Sequence, residues 1–594
     1  MVQPKPITDF KGLSRYLSKI PQNRDCARSD LRPIYALDTE TREGNIFLIA
    51  DSDGNWLDGI SAESVIKFLF SKRYQGTWNF FYNLGYDAEV ILKLLGSELN
   101  RYKKTNNLSF SFGKYKISYI PDRCLKITHG HKSTIFYDIA QFYHASLTDA
   151  YQNNIGKLDP EYLSMKEKRK QFSKWFYHNN RNKVREYCIQ DCKFTKELAE
   201  HWVKLFHDAF SFYPSRWISS GYLAEKVLIN NGIYIPKFAE IPFEVNQLAM
   251  RSYFGGRFEI LKRGFIGTAH LYDINSAYPY AITKIPDLTM GKWVQRKSIH
   301  PNAKLGFFRI LANIPDDKYV PPFPFRVNGI VIFPSGQFET YCTLAELQAC
   351  DNPKFYKIID SWQFVPSSDV YPYADFIKKL YQKRLELKKD NDPMQMPIKI
   401  ILNSIYGKTG QKIKGRIGNL FNPVIFSFIT GFARAQLYRF VMENNIEKEI
   451  VAFATDSICT TKKLDFDSDK LGEFSHDASA DDVFYLQNGF YRFNGKWKQR
   501  GLGKLKGKEI EHLDTFEKNG RLYYKFIVMR NNRLRSSIIQ DDIKEIGKIK
   551  PNVREVNLNA DRKRFWLNII ESIDSKTISE SSSLSLNHFT KDEI

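Results

Sequence analysis

The stretch FATDSICTT, residues 453–461, is an apolar run that breaks at Thr455-Asp456-Ser457 and resumes as a β-branched strand. Such a pattern predicts a hairpin with an acid at its tip. One carboxylate is too few to hold a divalent cation firmly, so the fold has to bring a second acidic strand end to this turn. The candidate is Asp273 in LYDINSAYPYAI, where a strand ends in an aspartate. A tight turn at Asn275 and Ser276 follows, and its exposed amides suit a triphosphate.

With 594 residues and 43% apolar content the chain is large enough for several domains, because single cores seldom grow past about 250–300 residues. A formal charge of +22, from 88 basic and 66 acidic residues, points to a polyanionic partner, nucleic acid first. The seven cysteines, Cys26, Cys124, Cys188, Cys192, Cys342, Cys350 and Cys459, are odd in number and form no CxxC pair. That favours a reducing compartment and packing roles over a zinc site, including for Cys188 and Cys192. MVQPKPITDF has no apolar leader core, and no run reaches the 18 apolar residues of a membrane span. A soluble cytoplasmic protein is expected, in the host's cytoplasm if the chain is viral.

RPIYALDTETREGNIFLIAD (32–51) predicts two strands joined at REGN, and TWNFFYNLGYDAEVILKLLG (77–96) a strand, a turn and an amphipathic helix. NKVREYCIQDCKFTKELAEHWVKLF (182–206) has helical periodicity throughout. Further on come a strand pair around 263–279, helices over 373–389 and 396–408 broken by DNDP, and a long helix over FSFITGFARAQLYRFVMENN. The Ser-rich tail SIDSKTISESSSLSLNHFTKDEI predicts weak order.

In the first of these regions LDTE places Asp38 and Glu40 on one face of a strand. Asp87 starts a helix, and Tyr187 and Asp191 lie one helical turn apart. Four acids and a tyrosine in an α/β domain form the pattern that holds two divalent ions for water attack. The pattern resembles the DEDDy family of 3′–5′ exonucleases. By that resemblance Asp38, Glu40, Asp87 and Asp191 are metal ligands, Tyr187 orients the attacking water and Asn83 contacts a single-stranded 3′ end. The family's catalytic lysine falls near SMKEKRK, where several lysines compete.

KIILNSIYGKTG sets Lys399, Asn403 and Tyr406 along one helical face, with Gly407 beyond, and KRLELKK adds Arg384 and Lys388. In order and spacing, DINSAYP, KIILNSIYG and ATDS resemble motifs A, B and C of family B DNA polymerases. That likeness implies that Asp273 and Asp456 hold two magnesium ions per active site, with manganese as a substitute. Lys399, Arg384 and Lys388 bind the incoming dNTP along with the Ser276 turn, Tyr278 excludes a 2′-hydroxyl, and Asn403 and Tyr406 line the nascent base pair. Motif C departs from the family's DTDS by carrying Ala454 in place of the first aspartate. An active enzyme is expected, because the retained Asp456 is the steady ligand.

SYFGGRFE, with Tyr253, Gly255 and Gly256 toward the DNA, resembles the YxGG signature of the protein-primed branch. The interval between motifs A and B is long enough for that branch's terminal-protein-contacting insertion. About fifteen residues after Gly407 are too few for the second insertion, which encircles DNA. The thumb-side KxY signature keeps Tyr491 as a DNA contact but has Gly489 for the lysine. RGLGKLKGKE (500–509) and DRKRFW (561–566) offer a basic surface for duplex backbone.

The implied fold class is α/β multidomain: a ribonuclease H-like exonuclease domain followed by a family B right hand of palm, fingers and thumb. Its boundaries are an N-terminal extension 1–30, exonuclease 31–205, linker and palm start 206–262, palm with insertion 263–372, fingers 373–410, palm 411–484, thumb 485–572 and polar tail 573–594. The implied activity is DNA-directed DNA polymerisation with 3′–5′ proofreading on a small mobile or viral genome. Its partners are template and primer DNA, dNTPs and a terminal protein as primer, with room for a single-stranded-DNA-binding protein; a monomer without membrane contact is expected. The alternatives are a family B enzyme that extends nucleic-acid primers, or a polymerase-inactive exonuclease or nucleic-acid-binding scaffold.

Overall fold

The computed structural model describes residues 30–586 apart from 106–107, 169–173, 414–415, 501–513, 519–520, 558–559, 569 and 571–575. The N-terminal extension up to residue 29, the basic run after Arg500, residues 169–170 of SMKEKRK and part of the polar tail lie outside the described residues. The first hairpin joins β1 (Ile34–Arg42) to β2 (Asn45–Asp51). Glu43 and Gly44 both take positive φ, 49° and 70°, the turn whose twist matches paired strands.

With β3 (Trp56–Leu57), β4 (Trp78–Phe81), β5 (Ser109–Phe112), β6 (Tyr115–Ile120), β7 (Cys124–His129) and β8 (Lys132–Asp138) they form one sheet in the order β3-β2-β1-β4-β8-β7-β6-β5. β1, β4 and β8 run parallel. Helix α1 (Leu84–Lys93) covers one face with Leu37, Phe81, Ile91 and Phe136. On the other face, behind α2 (Pro160–Lys168), α3 (Arg181–Phe210) packs Val184, Cys188 and Cys192 onto Leu48 and Ala50.

The expected linker after residue 205 is helical. Helices α4 (Ser220–Asn230) and α5 (Phe243–Arg251) bury Leu223, Val227 and Val245 in the largest core. Prolines and serines between them mark caps and turns, and the apolar residues decide the packing.

Next come β9 (Arg257–Ile260) and β10 (Lys262–Ile274), then α6 (Ala277–Thr283). The strand pair expected around 263–279 is one 13-residue strand. Gly264 and Gly267, both at positive φ, sit beside irregularities of its ladder and do not reverse the chain. The insertion contributes β11 (Gly291–Gln295), β12 (Leu305–Ile314), the hairpin β13–β14 (Phe325–Val327 and Ile330–Ile332), β15 (Gly336–Thr343), α7 (Leu344–Ala349) and β16 (Tyr356–Pro366). Its main sheet runs β11-β16-β12-β15. Helices α8 (Ala374–Lys389) and α9 (Gln395–Thr409) follow as expected.

A hairpin of two-residue strands, β17 (Lys412–Ile413) and β18 (Arg416–Ile417), leads into α10 (Pro423–Glu443). Pro423 and the Asn422 side chain, which accepts from the Ile425 N–H, set the start of α10. Strands β19 (Ile450–Thr455), β20 (Ser457–Thr460), β21 (Phe474–Gln487), β22 (Phe490–Phe493) and β23 (Lys496–Gln499) complete a sheet ordered β23-β22-β21-β10-β20-β19-β9.

A last sheet holds β24 (Asp514–Lys518), β25 (Arg521–Asn531) and β26 (Ile549–Asn557), with α11 (Leu534–Ile539) between the last two. The chain closes with β27 (Arg564–Trp566) and β28 (Ile578–Ser583), which pairs with β10. Thus the described part of the Ser-rich tail is ordered. Ser579, Ser581 and Ser583 alternate inward, and the Ser581 hydroxyl donates to the Leu261 carbonyl at 2.8 Å. Within DRKRFW, Arg562 is exposed, but Arg564 is buried and pairs with Glu259 at 3.0 Å, so it takes no part in a basic surface.

The far end of the chain docks on the first domain. Leu534, Ile538 and Ile546 join the core of Leu37 and Phe81. Arg533 bridges Glu89 at 3.1 Å and Asp122 at 2.6 Å, and Glu89 accepts from the Leu534 N–H. Gly44 lies so close that a Cβ would stand 2.3 Å from the Ile546 carbonyl oxygen. Among the described residues, no helix is long and apolar enough to cross a membrane. Gly44→Ala adds a clash at positive φ and is expected to cost about 1–3 kcal/mol. Hydrogen exchange should then rise across 531–549 while the β1–β8 sheet stays protected.

Candidate active sites

Strand β10 brings Asp273 beside the 453–461 hairpin. It pairs antiparallel with β20 so that Asp273 faces Ser457, and the Ile274 N–H donates to the Asp456 carbonyl at 2.9 Å. Thr455 has φ 72°, and the Asp456 N–H returns to the Ala454 carbonyl at 2.9 Å, so Asp456 stands at the tip of a tight turn. Burial first, then the charges of Asp456 and Asp477, push the Asp273 carboxyl up to about 7. Burial also raises Asp456. Among the described residues neither acid is ion-paired. Two hard oxygen donors held together without a protein cation fit a divalent ion.

Around this tip the structure gathers several of the expected side chains. Ser276, at φ 51°, opens α6. The Tyr278 ring leans on Tyr406 with centroids 4.5 Å apart, and the Tyr406 hydroxyl meets that of Tyr253 at 3.0 Å. A Cβ on Gly256 would stand 2.8 Å from Thr455 Cγ2 and 3.2 Å from the Tyr278 hydroxyl. The glycine pair therefore lets this turn close against the hairpin. The Gly255 carbonyl accepts from Arg434, which pairs with Glu346 at 2.8 Å in a fully enclosed contact.

Sequence reading missed Arg434 and Glu346. The signal was an arginine inside the apolar run FSFITGFARAQLYRF, because a buried charge demands a partner. Lys399 and Asn403 are exposed on α9, on the face of Tyr406; on α8 Lys388 is exposed and Arg384 half-buried. None of these four lines the cavity of about 400 Å³ beside Asp273, whereas Ala454, Asp477, Tyr491, Lys498 and Arg500 do.

A second, larger cleft of about 980 Å³ lies in the first domain, lined by Asp38, Asn83, Asp87, Lys166, Tyr187 and Asp191. Asp38, Glu40 and Cys188 each bring one ligand atom within 4.8 Å of the others. Glu40 is wholly buried on β1 behind that lining. Cys188 Sγ lies 4.0 Å from the Asp38 carboxylate, and burial holds its thiol well above the usual range, which makes it a packing group and weak donor. Asp87, in the first turn of α1, accepts from the Thr39 hydroxyl at 2.5 Å.

Tyr187 and Asp191 share the inner side of α3. There Tyr162, unforeseen in the sequence, donates to Asp191 at 2.5 Å and stacks on Tyr187 at 5.2 Å. Of the described lysines in SMKEKRK, Lys166 is the one on the cleft, where it donates to the Thr148 hydroxyl at 2.6 Å. The all-oxygen donor set suits a hard divalent ion here too.

Comparison with known proteins gives consistent findings. The family of organellar and viral type B DNA polymerases matches residues 74–418. The DNA polymerase of Acidianus bottle-shaped virus (isolate Italy/Pozzuoli) is 26% identical over 533 residues, covering 81% of this chain and 76% of that protein. A probable DNA polymerase of Ascobolus immersus is 26% identical over 337 residues, 55% of this chain and 26% of its own length.

Phi29 DNA polymerase, solved with primer-template DNA and incoming nucleotide, superposes with a TM-score of 0.60 at 15% identity, over 90% of this chain and 100% of that one. Its complex with single-stranded DNA gives 0.55 at 16% identity, over 88% and 92%. These likenesses show that the chain has the expected multidomain fold, shared with phi29 DNA polymerase.

Two measurements check this geometry. Asp273 is held above its ordinary value in the fold, so its contribution to stability is whole below about pH 4 and is lost as pH rises through about 7. Asp273→Asn should therefore raise the melting temperature of metal-free protein at pH 8 and leave it unchanged at pH 4. Arg434→Met strands Glu346 and should cost about 3–5 kcal/mol in denaturant unfolding. Adding Glu346→Gln should recover a clear part of that loss.

Proposed function

The chain belongs to the organellar and viral type B DNA polymerases, and from that premise we propose a protein-primed, magnesium-dependent replicase with its own proofreading exonuclease. It is a DNA-directed DNA polymerase, and its family depends on divalent metal. The observation that carries our reading of the site is the β10–β20 register, in which Asp273 faces Ser457 and the Ile274 N–H donates to the Asp456 carbonyl, so that both acids stand at the same end of two adjacent strands.

In this reading Asp273 and Asp456 hold the metal, two ions per site, magnesium by preference for hard oxygen ligands and manganese as a substitute. When bound, the metal supplies positive charge where the primer oxygen attacks and pyrophosphate leaves. Lys399, Arg384 and Lys388 bind the triphosphate, helped by the amides of the Ser276 turn. Tyr278, wedged between Tyr406 and Gly256, lies beneath the sugar and excludes a 2′-hydroxyl, while Asn403 and Tyr406 border the new base pair. Tyr253, Gly255, Gly256 and Tyr491 face the template-primer duplex.

In the second cleft Asp38, Glu40, Asp87 and Asp191 hold metal for hydrolysis of a 3′ end that Asn83 contacts. Tyr187 orients the water, Tyr162 fixes Asp191, and Lys166 supplies a cation.

Protein priming is supported by the Tyr253-Gly255-Gly256 turn and by the β11–β16 insertion as a seat for a terminal protein. A single-stranded-DNA-binding protein is a further partner in this scheme. A second reading, extension of ordinary nucleic-acid primers, is favoured by the smallness of the β17–β18 hairpin where a larger DNA-embracing insertion is expected.

In a primed-template assay with magnesium and labelled dNTP, Asp456→Asn should abolish incorporation and spare 3′ trimming. Asp38→Ala with Glu40→Ala should do the reverse. If incorporation survives Asp456→Asn, our assignment of the hairpin is wrong. Protein priming predicts that α-labelled dNTP, in an extract of cells carrying the genome, enters a protease-sensitive, nuclease-resistant product; label found only in nuclease-sensitive chains favours the second reading.

A further inference from the structure

Position 489 offers no side chain to the cavity beside Asp273, and another residue fills its place. Gly489 has φ 76°, and a Cβ there would stand 2.6 Å from the Cβ of Arg500 and 3.2 Å from its Cδ. The Arg500 N–H donates to the Gly489 carbonyl at 2.7 Å, extending the β22–β23 ladder by one pair. Arg500 then lays its guanidinium over the Phe258 ring, 4.7 Å from the centroid. Phe258 stands opposite Ala454 across β9 and β19, and Asn488 donates to the Phe258 carbonyl at 3.3 Å. Ala454 and Gly489, where the chain departs from its family pattern, thus open onto one cavity, and Arg500 reaches both surroundings.

Lys498 is directly opposite Tyr491 in the same ladder. Being two residues from Arg500, it projects to the same face of the strand. Tyr491 stacks on Tyr485 at 4.6 Å with rings nearly parallel, which anchors it in the sheet beside Lys498. Among the described residues neither Lys498 nor Arg500 is ion-paired, both are exposed, and both line the cavity with Asp273. A strand whose 3′-hydroxyl reaches Asp273 has to lead its last phosphodiesters past this wall. Two unpaired cations on a rigid hairpin are suited to receive them.

Resting on the polymerase reading above, we propose that Arg500 and Lys498 are positioning residues that clamp the primer backbone just behind its 3′ end. Arg500 takes the place that a side chain at position 489 leaves vacant. Its stacking on Phe258 holds the guanidinium in register with the palm before DNA arrives, and Lys498 adds a second, freely turning contact.

The test is a fluorescence-anisotropy titration of a 3′-recessed primer-template duplex across a salt series, using wild type, Arg500→Ala, Lys498→Ala and Arg500→Lys. Steady-state extension and trimming of a single-stranded oligonucleotide are measured alongside. Each alanine variant should reduce the slope of log affinity against log salt by about 0.9, the loss of one phosphate contact. The KM for duplex should rise roughly tenfold, with the KM for dNTP and the trimming rate unchanged. Arg500→Lys should keep most of the slope.

Intact trimming separates a lost contact from a failed fold. If wild type extends primers while both alanine variants keep its salt slope and duplex KM, the clamp is overturned and the polymerase reading stands. If Arg500→Lys loses as much as Arg500→Ala, charge is not what Arg500 supplies, and its part in the clamp falls. If wild type neither binds nor extends the duplex, the polymerase reading fails and takes the clamp with it.

Discussion

The pairing of β10 with β20 is the constraint on which the rest of the molecule depends. It sets Asp273 against the turn that carries Asp456, and two carboxylates so placed repel each other in metal-free protein. The site is held together by the sheet around it. β21 flanks β10 along its length, β9 braces β19, and Gly256 lets the neighbouring turn close to within contact of Thr455. Burial, with the charges of Asp456 and Asp477 beside it, holds the Asp273 carboxyl above the usual carboxylate range. In the proposed function a divalent ion would relieve that repulsion, so the empty site trades stability for the ability to bind it.

The same logic of enclosure governs the surrounding charges. Arg434 with Glu346 joins the long helix α10 and the insertion to the Gly255 carbonyl. Arg564 with Glu259 and Arg257 knits the end of the chain into the palm sheet. Such pairs add little net stability against apolar replacements, yet each admits one arrangement of its partners. Here they fix where the Tyr253–Gly256 turn and β9 stand relative to the hairpin. At the other end, α11 and Ile546 join the first domain's core, so the sheet of β24–β26 borders the cleft that holds Asp38 and Asp191. The two clefts are thereby built into one continuous body.

Much of this was legible in the chain. The 453–461 hairpin, the β1–β2 turn, the helices α8 and α9 and both acid sets follow from local signals: period, turn residues and carboxylates at strand ends. What escaped depends on distant partners. Gly264 and Gly267 look like punctuation and predict two strands where β10 is one, and only the ladder with β21 shows them beside its irregularities. The serines of β28 predict weak order because they look polar until the carbonyls of Asn568, Leu261 and Lys318 accept from Ser579, Ser581 and Ser583. Arg564 drops out of the basic surface expected of DRKRFW for the same reason, since Glu259 claims it from far along the chain. Tyr162 and Arg434 carried no motif, and their meaning comes from Asp191 and Glu346. Lys166 became distinguishable from its neighbours only when the cleft was formed.

In the proposed function one primer end is shared between a synthesising and a trimming site on the same body. That sharing is tested most directly by following a paired 5′-labelled primer in magnesium, with and without the four dNTPs. The account predicts that the primer shortens without dNTPs and lengthens with them, and that a single complementary dNTP holds it at the last position that nucleotide can fill while monophosphate is released. Shortening at one rate whatever the nucleotide supply would contradict it, because no synthesising site would then be competing for the end.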